Sequence, residues 1–229
     1  MIHFATPCPT HDHAMNWQAF GALVTLLVLL WSIVGNYIRK RVVRPILDLS
    51  IISAWPDYNG MKVASGNISY FIRMRVVNEG RSTAENVQVF AEKLDPFPIN
   101  AIDSSGTLKR FFPMNLFWSH DRAIARRIPA KVFQHCDLGE IAHPNDVEAD
   151  TRLQLQLPTD KSYLQIAVIS NATFTKLSCL HRGTYVLHLS ISADNADTVR
   201  RLVKIELDGE WYDNDNDMRS TGCKVSVLR

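Results

Sequence analysis

Ile68-Ser69-Tyr70-Phe71-Ile72-Arg73-Met74-Arg75-Val76-Val77 alternates along its whole length, with Tyr70, Ile72, Met74 and Val76 on one face and Phe71, Arg73, Arg75 and Val77 on the other. That period of two is the pattern of a half-buried strand. The strand runs into Asn78-Glu79-Gly80-Arg81-Ser82, a turn signal in which Gly80 is expected to supply a positive φ, and Val87 and Val89 resume the alternation through Phe90 to Leu94. The same rhythm recurs outward from this stretch. Ile46 to Ser53 reads as a first strand, and Val132 to Ala142 continues the pattern. In Arg152 to Leu157, Leu153, Leu155 and Leu157 are expected inward, and in Tyr163 to Ser170 the inward set is Leu164, Ile166 and Val168. Gly183 to Ser192 places Tyr185, Leu187, Leu189 and Ile191 inward, and Val199 to Leu207 does the same with Val203, Ile205 and Leu207. Roughly seven to nine short strands separated by turns predict a mainly β fold, an antiparallel sandwich around one core.

The run Val76-Val77-Asn78-Glu79-Gly80-Arg81-Ser82-Thr83-Ala84-Glu85-Asn86-Val87-Gln88-Val89 resembles the strand-turn-strand signature of immunoglobulin-like, CARDB-type domains. The resemblance implies an immunoglobulin-like β-sandwich that binds, spaces or adheres rather than catalyses. The whole chain is similar in shape to uncharacterised prokaryotic single-pass membrane proteins with such a domain. Those domains usually sit outside the cell, whereas the charge pattern described next places this one inside.

Ahead of the β pattern lies an apolar run. From Ala19 to Ile38 there are 20 residues without a charged side chain. A helix of that length rises about 30 Å, the thickness of a bilayer's hydrocarbon core. Trp17 stands at one end and Trp31 and Tyr37 near the other, where amphipathic rings favour the headgroup region. Arg39, Lys40, Arg41 and Arg44 follow, while residues 1–16 contain no Lys or Arg. Basic flanks are retained on the cytoplasmic side. The expected order is a short extracytoplasmic tail (1–16), a transmembrane helix (17–38), a basic juxtamembrane segment (39–45) and a cytoplasmic sandwich (46–229) at the inner (plasma) membrane. A cleaved signal peptide is not expected, because the start has no basic residue and the run ends without a small-x-small site. Pro45 stops the helix and leaves a very short linker. Gly21 and Thr25 have a spacing that permits close helix approach.

The formal charge is +2 over the chain, but from residue 45 onward 21 basic residues face 22 acidic ones. The positive excess sits in the flank, which suits anionic lipid headgroups and argues against a nucleic-acid partner. Cys8, Cys136, Cys179 and Cys223 are too scattered for a disulfide framework. Neither Cys8-x-x-His11-x-His13 in the tail nor the Asp213, Asp215, Asp217 series is expected to hold a metal. The tail lacks a supporting shell, and Met218 and Lys224 stand where a calcium loop needs Gly and Glu. The acidic series is expected to be a turn or tail.

No Gly-x-Ser-x-Gly, Walker, His-Glu-x-x-His or Cys-x-x-Cys pattern occurs, so no catalytic residue, cofactor or enzyme activity is expected. His120-Asp121 and His135-Cys136 are sequence neighbours, which in a strand point to opposite faces; Cys179-x-His181 is expected to be structural. The expected function is a non-catalytic, membrane-anchored module that docks or scaffolds an unidentified protein partner, or a second copy, at the cytoplasmic face. Three alternatives stand beside it, an accessory subunit of a membrane complex, a sensor or effector in stress or antiviral defence, and an enzyme, the last weakened by the absence of a nucleophile–base pair. The expected contact surfaces are the hairpin Asn78 to Asn86, with Asn78 and Arg81, and the tract Leu116 to Arg127, with Leu116, Phe117, Trp118, Arg122, Arg126 and Arg127.

Overall fold

The computed structural model describes residues 17–95, 111, 113–147, 149, 152–153, 158–168 and 179–228, and within the N-terminal helix the side chains of residues 20–35 and 37. The tail with Cys8, His11 and His13 and the side chains of Trp17, Arg39, Lys40 and Arg41 lie outside the described residues. Contacts divide the chain into two compact units, with the boundary between Val43 and Arg44.

The first unit contains helix α1, Trp17–Val42. Its leucines and small residues favour helix, and its described apolar side chains are exposed all round, Trp31 at 78% and Tyr37 at 62%. Among the described residues no helix is long and apolar enough to cross a membrane.

The second unit is mainly β, and its two antiparallel sheets fit a β-sandwich. Sheet 1 has the order β1 (Leu47–Ser50), β3 (Ile68–Asn78), β7 (Phe133–Ile141), β8 (Leu164–Ile166) and β9 (Cys179–Leu180), with β2 (Tyr58–Lys62) also on β3. Sheet 2 has the order β12 (Cys223–Leu228), β11 (Ala196–Leu207), β10 (Gly183–Ala193), β4 (Ala84–Asp95) and β5 (Met114–Asn115), with β6 (Arg126–Ile128) also on β4. Each sheet is built round one long strand. β3 takes β7 along one edge, with a register shift between Ile72 and Arg73, and β1 and β2 at its two ends; β4 takes β10 along its length, with a shift between His188 and Leu189, and β5 and β6 over shorter stretches. The inward residues expected for β3, β10 and β11 are buried, and they join one core with Leu47, Leu49, Leu138, Leu164 and Ile166.

Four expectations are corrected. Asn78 to Asn86 is not a hairpin, because β3 and β4 belong to different sheets and every paired stretch of β3 is taken by β1, β2 or β7. Gly80 does not have a positive φ. A Cβ there would stand 2.4–2.5 Å from the backbone of Arg44, Pro45 and Ile46, so the glycine is required by close approach. Arg152 and Leu153 are helical rather than extended, and Leu153 is 80% exposed. That segment's Leu and Gln suit a helix as well as a strand, and it has no β-branched residue; residues 154–157 lie outside the description. Finally, the chain does not trail off after the acidic series. A helical turn at Asp215–Asp217 and a wider one at Met218–Gly222 lead into β12, which pairs with β11 from Leu202↔Leu228 to Leu207↔Cys223.

Candidate functional site

The inter-sheet turn is a clasp. Asn78 is fully buried, and its amide is saturated. Oδ1 accepts from the N–H of Ile46 at 3.2 Å and of Gly80 at 3.0 Å; Nδ2 donates to the carbonyls of Ser82 at 2.8 Å and Ile128 at 3.0 Å. These are the two donors and two acceptors that an amide offers. The backbone N–H of Glu79 donates to Ile46 and that of Arg81 to Arg44, and Pro45 is buried beneath the turn. Arg44 also pairs with Asp197. The chain is therefore fastened from Arg44 onward. Asn78 is corrected from a surface residue to an internal one, while Arg81 stays exposed.

The tract from Leu116 to Arg127 divides in the same way. Leu116 and Trp118 are fully buried and cannot line a surface. Met114 and Asn115 pair with β4 of sheet 2, whereas Leu116 bridges Val168 and Trp118 bridges Cys136 of sheet 1, so this segment stitches the sheets together. The Trp118 indole N–H is shared between the carbonyls of Val87 and Ile124. The basic residues are dispersed. Arg126 pairs with Asp121 and Arg127 with Glu85 at 3.0 Å, while Lys131 Nζ donates to the Glu79 carbonyl. Arg122 forms no ion pair among the described residues; its guanidinium lies 4.7 Å from the centre of the Phe117 ring.

The turn that carries Arg122 is strained and over-determined. His120 has φ +80° and Arg122 φ +55°, a left-handed region that Gly, Asn, Asp and His tolerate and other side chains seldom occupy, so the strain falls on Arg122. The turn is held by Ser119 Oγ donating to Asp137 at 2.5 Å, by Ser119 N–H donating to His135 and by Arg122 N–H donating to Trp118. Asp121 caps it by accepting from the N–H of Ala123.

Beneath Arg122 the outer face of sheet 1 contains a cavity of about 390 Å³, lined by Phe71, Phe117, Arg122, Asp137, Glu140 and Gln165 among others. Its floor follows from a bulge in β7, where the register slips between Ile72 and Arg73. Gly139 lies at that slip, and a Cβ on it would meet the Gln165 carbonyl at 2.5 Å. Asp137 is balanced by Arg73, 3.4 Å away, and by Ser119. Glu140 is part-buried and forms no ion pair among the described residues. Burial raises its carboxyl above the ordinary value, against smaller opposing contributions from a Ser69 hydrogen bond and the Arg122 charge.

Further along the same face, Asp57 is fully buried and accepts from Arg75 Nε at 2.8 Å, from His135 Nε2 at 3.0 Å and from the Ile52 N–H. A His–Asp pair is a hydrolase element only when the histidine also meets a nucleophile. No hydroxyl or thiol is hydrogen-bonded to His135 among the described residues, and its neighbour Cys136 points into the core, where burial pushes the thiol well up. Asp57 thus ties the loop between β1 and β2 onto the sheet.

A larger groove of about 970 Å³ lies between β1 and the β11–β12 edge, with its principal charges paired as Arg201–Asp48 at 2.8 Å and Arg200–Glu92 at 3.7 Å. Among the described residues no group of His, Cys, Asp and Glu is arranged to hold a metal. No protein-family model matches the chain, and no curated protein or solved structure is similar to it at a significant level.

Proposed function

We propose that the chain is a non-catalytic interaction module carried on a membrane anchor, with an immunoglobulin-like sandwich that presents the outer face of sheet 1 to a partner. One observation carries the reading. Helix α1 ends at Val42 and the clasp begins at Arg44, so a single residue, Val43, separates them. Covalently joined, the whole chain is retained at the place where its helix resides. The uncharged run Ala19 to Ile38 and the basic flank after it support a bilayer as that place, with the domain on the cytoplasmic side and anionic headgroups against Arg39, Lys40, Arg41 and Arg44. Confinement to a thin shell raises the effective concentration of any membrane-bound partner, so a modest interface suffices.

The test is to extract the tagged full-length chain from membranes in mild detergent and weigh what accompanies it. A protein in fixed ratio, lost on the charge reversal Arg122→Glu, is the expected result. A chain that purifies alone from every preparation contradicts docking of a second protein.

The sensor reading has its own observation in favour, the cavity lined by both Glu140, which accepts from Ser69, and Arg122, with no ion pair between the two among the described residues. A small ligand there would bear directly on the turn that spans the two sheets.

A further inference from the structure

The cavity under Arg122 is unusual in its charge bookkeeping. Of its three charged lining groups, Asp137 is already met by Arg73 and Ser119. That leaves one anion, Glu140, which accepts a hydrogen bond from Ser69, and one cation, Arg122, lining the same 390 Å³ without an ion pair between them among the described residues. Arg122 stands at the exposed rim, its guanidinium 4.7 Å from the centre of the Phe117 ring and its backbone at φ +55°.

We propose that this cavity binds a free α-amino acid, with the ligand carboxylate on Arg122, its ammonium on Glu140 and an apolar side chain between Phe71 and Phe117. The charge pattern selects among ligand classes. A simple amine would satisfy Glu140 and face Arg122; a carboxylate or phosphate would satisfy Arg122 and face Glu140. A zwitterion meets both at once and brings no net charge into the site. Arg122 is suited to its half of the task, because a planar guanidinium grips a carboxylate with two parallel bonds. The volume lies at the lower end for small-molecule sites and suits one residue-sized molecule rather than a nucleotide. The Gln165 amide, at the same wall, adds donors and acceptors for the ligand's polar end. This inference stands apart from the membrane reading, since every residue in it belongs to the sandwich.

The experiment is calorimetric titration of the full-length chain in detergent with L-phenylalanine, L-leucine, phenethylamine and 3-phenylpropionate. Phenethylamine lacks the carboxylate and 3-phenylpropionate lacks the ammonium. Expected is binding of at least one amino acid, with both truncated compounds weaker than L-phenylalanine by tenfold or more. Glu140→Gln should reduce L-phenylalanine to the level of 3-phenylpropionate, and Arg122→Gln to that of phenethylamine. The proposal is overturned by no heat from either amino acid at about 10 mM, a concentration that saturates even a millimolar site. Truncated compounds that bind as tightly as L-phenylalanine overturn it too. The truncated compounds are tested on the unmodified chain, so the result does not depend on either variant folding.

Discussion

Two of the polar turns that pass between the sheets use their side chains in opposite ways. In the turn after β3 every hydrogen-bonding group of Asn78 is spent inward, on Ile46, Gly80, Ser82 and Ile128. In the turn after Trp118 the backbone and Ser119 are likewise spent inward, but Arg122 is left facing a cavity, stacked on Phe117 and unpaired among the described residues. The first turn closes the structure and the second opens a place on it. A run rich in Asn, Glu, Arg and Ser is thus no guide to surface function until its hydrogen bonds are traced, because a saturated polar group is a structural element.

The comparison breaks most visibly at Asn78. Asn78→Asp keeps the shape but sets a carboxylate against the carbonyls of Ser82 and Ile128, so a loss of about 3 kcal/mol is expected from buried groups left unsatisfied. That loss should appear as a fall in melting temperature of about 6–12 °C. A melting curve unchanged by the substitution would show that the clasp contributes nothing. Next comes Gly80→Ala, where the added methyl meets the backbone of Arg44, Pro45 and Ile46. Backbone cannot step aside as a flexible side chain can, and about 2 kcal/mol of destabilisation is expected, read from the same curves or from denaturant midpoints.

The second turn should respond with the other sign. Arg122→Gly removes a side chain from a left-handed conformation, and a stabilisation of about 0.5–1 kcal/mol is expected while ligand and partner binding are lost. Stability and binding moving together would remove the distinction between the two turns. The smallest effect is expected at Glu140, and it depends on pH. Burial raises its carboxyl in the folded state, so the folded chain holds that proton more tightly than the unfolded chain. The resulting penalty is absent below the ordinary carboxylate range, where both states are protonated, and grows as pH rises through the folded value. Glu140→Gln does not titrate, and its stability should match the parent in acid and exceed it at neutral pH. A difference of constant size across that range would place the cause elsewhere.

The β3, β10 and β11 faces were legible because period-two burial leaves a direct mark on sequence, and Tyr70, Ile72, Met74 and Val76 carry it without interruption. β12 carries the same mark in Cys223, Val225 and Val227, yet it follows an acidic series whose helical turn disguises the return of the chain to the sheet. β5 and β6 have two and three residues, too few for any period to show. At the site, the residue types at Phe117 and Arg122 pointed to a surface, whereas Leu116 and Trp118 alternate with Phe117 and take the opposite, buried side. Glu140 was not legible. Its partners in the cavity come from β3, β8 and the Arg122 turn, distant in sequence, and only the bulge beside Gly139 brings them together. One local signal was available, the glycine one position before Glu140 inside an otherwise regular strand, since such a glycine often marks a bulge or a close backbone approach.

In the proposed function helix α1 retains the chain at a bilayer. Alkaline carbonate extraction of membranes from cells making the full-length chain tests it most directly. The account predicts that the chain stays in the membrane pellet after peripheral proteins have been stripped; its recovery in the soluble fraction would contradict the anchor and leave the sandwich without the confinement on which its proposed role depends.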